Sequence, residues 1–121
     1  MLVLIGLLAA IAVTAFAGQR DRAEAAEAKT AARTAQIAME TYYTEHRNYA
    51  GATVAELEEV QPALRTAPGL VVRNATASGY EIESSSRSTR PVTFVVERSP
   101  TGTLSRRCTP SDGGGCKDGI W

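Results

Sequence analysis

The chain has 121 residues, enough for one small domain, and its 13 basic and 13 acidic residues cancel to zero formal charge. Zero net charge, with no basic run longer than Arg106-Arg107, argues against a dedicated nucleic-acid-binding module, which carries a basic excess. Two cysteines and one histidine, without a second Cys pair or paired His, do not match a zinc site.

The first 17 residues, Met1 to Ala17, carry no charge, and the first charged residue is Arg20. As a helix this stretch would reach about 25 Å, slightly short of the ~30 Å hydrocarbon core of a bilayer. Ala15-Phe16-Ala17 also fits the cleavage site of a secretory signal, but the basic n-region of such a signal is missing. The next residues favour a continuous helix. From Gly18 to His46 there is no proline and no further glycine, and Ala, Glu, Lys, Arg, Gln and Met dominate. The pattern predicts one helix of about 45 residues, ~65–70 Å long. Residues 1–19 form its apolar part, with Leu2, Leu4, Ile5, Leu7, Leu8, Ile11, Val13 and Phe16 as the large side chains.

Residues 20–47 form the amphipathic part. Ala25, Ala28, Ala32, Ala35, Met39 and Tyr42 recur at helical spacing, small residues first and large ones last. Ala35, Met39 and Tyr42 are expected to meet the rest of the domain, and the earlier alanines to meet neighbouring subunits. Arg20 and Glu24 can pair on the outer face. His46, the single histidine, sits where it can interact with the helix dipole. No catalytic triad can be built around it, so no enzyme activity is expected.

Residues 48–69 read as a connection containing a short helix. Thr53-Val54-Ala55-Glu56 is a capping box that starts a helix over about Val54 to Val60, limited by Pro62, and Pro68-Gly69 marks a turn. Residues 70–107 read as strands. Leu70-Val71-Val72 is one, Tyr80 to Glu83 alternates as a half-buried second, and Val92 to Arg98 is the clearest. Thr103-Leu104-Ser105 starts a possible fourth. These pieces suit a three- or four-stranded antiparallel meander that covers the helix stripe and gives an α+β domain. Its core is expected at Ala35, Met39, Tyr42, Ile82, Phe94 and Val96. Residues 108–121 are Gly-rich and irregular. Cys108 and Cys116 read as a disulfide closing a small loop, which implies an oxidising compartment, or as two free buried thiols. Asp112 and Asp118 flank glycines and are weak calcium candidates, against a plain solvated turn. Asn74-Ala75-Thr76 fits an N-glycosylation pattern, and Trp121 is expected to anchor the terminal segment by packing.

Three parts of the sequence resemble the N-terminal half of type IV pilins and pseudopilins. They are Gly6-Leu7-Leu8-Ala9-Ala10-Ile11-Ala12-Val13 with Ala15-Phe16, the Ala/Lys/Arg run ending in Ala35-Gln36 and Glu40-Thr41-Tyr42-Tyr43, and Asn48-Tyr49-Ala50. The resemblance covers roughly residues 1–60. It implies a structural subunit with the pilin fold that polymerises by bundling its apolar helices in a filament core, with no cofactor. It also implies copies of the same chain, the membrane before assembly, pilus assembly machinery and a prepilin peptidase as partners, and no specific nucleic acid. The implied location is a cell-surface filament outside the cell. By position, Cys108 and Cys116 match the disulfide loop that pilins expose on the filament, and some pseudopilins bind calcium in this region. Two features depart from the family pattern. No residue here takes the role of the glutamate that follows the family's peptidase site, and Thr14 stands where proline is common, which leaves no family-style kink there. The rival readings are a pseudopilin of a secretion or competence machine and a membrane-anchored binding module.

Overall fold

The computed structural model describes residues 2–111 and 114–121, and within the long helix it describes the side chains of residue 20 and of residues 22 onward. Helix α1, Leu2–His46, is unbroken over 45 residues, or about 67 Å. Its end is set at Arg47, whose φ of 60° is left-handed and cannot continue the helix. The freed carbonyls find donors there. Arg47 N–H donates to the Tyr43 carbonyl at 2.6 Å, and Asn48 Nδ2 donates to that of His46 at 3.1 Å. His46 Nδ1 lies 3.1 Å from the Tyr42 carbonyl, and its ring stacks on Tyr42 at 4.0 Å.

Helix α2, Val54–Val60, begins where the capping box predicts, with Thr53 Oγ1 accepting from the Glu56 N–H at 3.3 Å. Pro62 ends it by lacking an N–H. The same fixed φ then starts a short 3-10 helix, Pro62–Thr66, in a stretch that reads by sequence as plain connection. Leu57 and Leu64 anchor the two turns in the core.

Four strands complete the chain: β1 Val71–Arg73, β2 Tyr80–Ser85, β3 Thr93–Arg98 and β4 Leu104–Thr109. They form one antiparallel sheet in the order β1-β2-β3-β4. Ile82 lies opposite Val72 and Val96, and Phe94 lies opposite Ser84 and Cys108. Tyr80, Ile82, Phe94, Val96 and Cys108 are buried on the face toward α1. The other face carries Glu81, Glu83, Glu97, Arg73 and Arg107. Arg107 bridges Glu97 at 2.8 Å and Glu81 at 3.2 Å, exposed pairs worth about 1 kcal/mol or less each. The architecture is α+β, a long helix packed on a four-stranded antiparallel sheet. Several boundaries move. β1 covers Val71–Arg73 rather than Leu70–Val72, β2 runs on through Ser85, β3 starts at Thr93 rather than Val92, β4 starts at Leu104 rather than Thr103, and Cys108, assigned by sequence to the terminal loop, belongs to β4.

Candidate functional site

The helix stripe meets two separate core clusters. In the C-terminal cluster Ala35, Ala38, Met39 and Tyr42 pack with Tyr49, Leu57, Leu64, Tyr80 and Ile82. In the other, Ala25, Ala28 and Ala32 pack with Val92, Phe94, Val96, Cys108 and Cys116, with Trp121 against them. The predicted core residues Ala35, Met39, Tyr42, Ile82, Phe94 and Val96 are all buried. The expectation that the earlier alanines meet neighbouring subunits is corrected. Ala28 and Ala32 are fully buried by the chain's own sheet and terminal segment. Alanine is what this contact needs, because a methyl side chain lets the helix axis approach the sheet beneath Phe94.

Cys108 and Cys116 form a disulfide, and no cysteine among the described residues is free. The bridge holds the terminal segment against β4, where the Cys108 N–H donates to the Gly119 carbonyl at 2.8 Å and covers part of the sheet edge. Lys117 and Ile120 exchange backbone hydrogen bonds of 3.2 and 3.0 Å, with Asp118 in the turn between them at a φ of 54°. Lys29 Nζ donates to the Gly115 carbonyl at 2.9 Å and lies 5.6 Å from the Phe94 ring. Trp121 meets Phe94 edge to face at 5.6 Å and donates from Nε1 to the Val95 carbonyl at 3.2 Å. Two guanidinium groups lie over its ring, Arg33 at 5.7 Å and Arg106 at 5.1 Å.

At the other end, Glu40 collects hydroxyls from two distant elements. Tyr49 Oη donates to both carboxylate oxygens, at 3.1 and 3.0 Å, and Tyr80 Oη donates to Oε1 at 3.0 Å. Burial, and then the Glu40 carboxylate as acceptor and negative neighbour, push the Tyr49 hydroxyl up to about 12. Burial and the same carboxylate raise Tyr80 further, above the ordinary tyrosine range. Tyr42 Oη donates to the Ala50 carbonyl at 3.2 Å, which fixes the exit from α1.

Sequence reasoning missed the Glu40 hub and the Arg33–Trp121–Arg106 stack, whose members are 88 and 15 positions apart. Trp121 itself was legible as an anchor. The Arg20–Glu24 pair is present at 3.5 Å, on an exposed face. Asn74, also at positive φ, is exposed, with its Nδ2 3.4 Å from Glu81 Oε2. Asp112 lies outside the described residues, as do the side chains of Leu2, Leu4, Ile5, Leu7, Leu8, Ile11, Val13 and Phe16. Among the described residues no group of three His, Cys, Asp or Glu side chains converges as a metal site, and no helix is long and apolar enough to cross a membrane. Compared with protein-family models, curated proteins and solved structures, the chain has no match in any of the three.

Proposed function

We propose that this chain is the structural subunit of a type IV pilin-like filament. The apolar half of α1 bundles with copies of itself, and the α+β head rides outside. One observation carries the reading. The helix runs unbroken from Leu2, and among the described side chains those that the head buries begin at Ala25, about 35 Å along it. That leading length holds Leu2, Leu4, Ile5, Leu7, Leu8, Ile11, Val13 and Phe16. At roughly 1.5–3 kcal/mol each, removing these eight side chains from water is worth about 12–24 kcal/mol before the entropy of association is subtracted.

The α+β head is compatible with the pilin fold, and the disulfide at its C-terminal end is compatible with an oxidising space outside the cytoplasm. In this reading the same apolar helix rests in the membrane before assembly. The test is Leu7→Asp or Ile11→Asp in the full chain, examined by electron microscopy of cells and of purified protein. Filaments are expected from the wild type and none from either variant, while near-ultraviolet circular dichroism of Trp121 stays unchanged. Ordinary filaments from either variant refute the proposal.

A further inference from the structure

The assembly reading leaves open what the heads do to one another, and their surface charge is informative. Arg22, Lys29 and Arg33 succeed each other at spacings of seven and four on α1, which puts them in one line on a helix. Arg106 of β4 extends that line, with Nη2 3.4 Å from Gln36 Oε1. Two surface hollows lie along this flank. One, of 600 Å³, is lined by Arg22, Lys29, Arg33 and the Gly114-Gly115 loop. The other, of 490 Å³, is lined by Arg33, Ile37, Glu40, Thr44 and Arg106. Arg33 borders both, so together they make a trough about 33 Å long from Arg22 to Thr44.

Among the described residues none of these four cations is in an ion pair. Among the described acids, Glu40 lies beside them, with both oxygens held by Tyr49 and Tyr80. Ile37 stands in the trough with 59% of its surface exposed.

The opposite charge lies elsewhere on the same head. Helix α2 exposes Glu56 and Glu59, with Glu58 half-buried, and none of the three is in an ion pair among the described residues. The 3-10 helix that continues α2 borders a different hollow on α1, with Glu27, Ala31 and Thr34, which meets the trough at Ala26 and Thr30. Among the described residues no glutamate of α2 pairs with a trough cation of its own chain. Two different, complementary patches of one molecule make a head-to-tail contact, and such contacts propagate instead of closing into a dimer. We infer that α2 of one copy docks in the Arg22–Arg33–Arg106 trough of the next, with Glu56 and Glu59 facing the arginines. Opposed patches of this kind fix register between copies more than they add affinity. The inference rests on the assembly reading for its partner, a second copy.

The test is zero-length carbodiimide cross-linking of the full chain in detergent micelles, with equal parts of isotope-labelled and unlabelled protein. The only lysines in the chain are Lys29 and Lys117. Mixed-isotope cross-links from Glu56 or Glu59 to Lys29 or Lys117 are expected. They should fall at least ten-fold in 1 M salt, where charges are screened beyond about 3 Å. Arg33→Glu with Arg106→Glu should lower them to a similar degree. Arg22→Glu, which is remote from Trp121, is the second variant in case the first disturbs the fold, and should lower them at least three-fold. Absence of these cross-links in the wild type, or yields that neither salt nor charge reversal changes, overturns the inference. Filaments without the cross-links remove this contact alone, whereas cross-links without filaments count against the assembly reading alone.

Discussion

Replacing Ala32 by leucine tests directly whether the head closes on its own helix. Ala32 is fully buried between Ala28 and the Phe94, Val96 and Cys108 side chains. Three added carbons have no space to occupy, so the helix must lift from the sheet or Phe94 must leave its rotamer. Overpacking of this kind costs about 1–3 kcal/mol. For a head of roughly 100 residues each kcal/mol shifts Tm by about 4–8 °C, which gives an expected loss of roughly 4–24 °C. The assay is thermal unfolding of the full chain in detergent, followed by the near-ultraviolet signal of Trp121, whose ring rests on Phe94. Ala26→Leu on the exposed flank is the control, and should change stability by no more than about 0.5 kcal/mol. If Ala32→Leu leaves Tm unchanged and alters only assembly, the alanines face other copies and the packing argument fails.

Further expectations concern the bridge, the tyrosines and a core ring. Cys108→Ser with Cys116→Ser releases a loop closed across a sequence separation of 8 and should cost about 2–3 kcal/mol in the chain-entropy model, read by denaturant unfolding. Phe94→Ala, which removes the ring under Trp121, should cost about 3–5 kcal/mol by the same measurement. Because folding raises the Tyr49 pKa to about 12, the unfolded chain loses that proton first as pH rises. Stability should then be full below about pH 10 and fall between about 10 and 12, with Tyr80 shifted in the same direction. Glu40→Gln should bring the Tyr49 titration, followed by phenolate absorbance, to lower pH. A titration that does not move would remove Glu40 as a cause.

The legible elements were those whose pattern is local. Thr53 and Glu56 announce α2, alternation announces β2, and the run of Val, Thr and Phe from Val92 to Val96 announces β3, because in each the signal lies within a few residues. β4 was only half visible. Ser105, Arg106 and Arg107 are polar on both faces, and what makes them a strand is a salt-bridged neighbour on one side and Trp121 on the other. The alanines read as contacts for neighbouring subunits because nothing in residues 25–32 shows that a disulfide and Trp121 fold back over them. Nothing beside Glu40 in the chain shows that Tyr49 and Tyr80, 9 and 40 positions away, arrive at its carboxylate.

Each strand in the sheet lies beside its immediate predecessor in the chain. Pairings of that kind need only short excursions of backbone, so the head can be laid down hairpin by hairpin against a rod that is already formed, without passing one segment through another. For a subunit held by its leading segment in a bilayer, as proposed, that order of events leaves the tethered end undisturbed while the rest of the molecule takes shape.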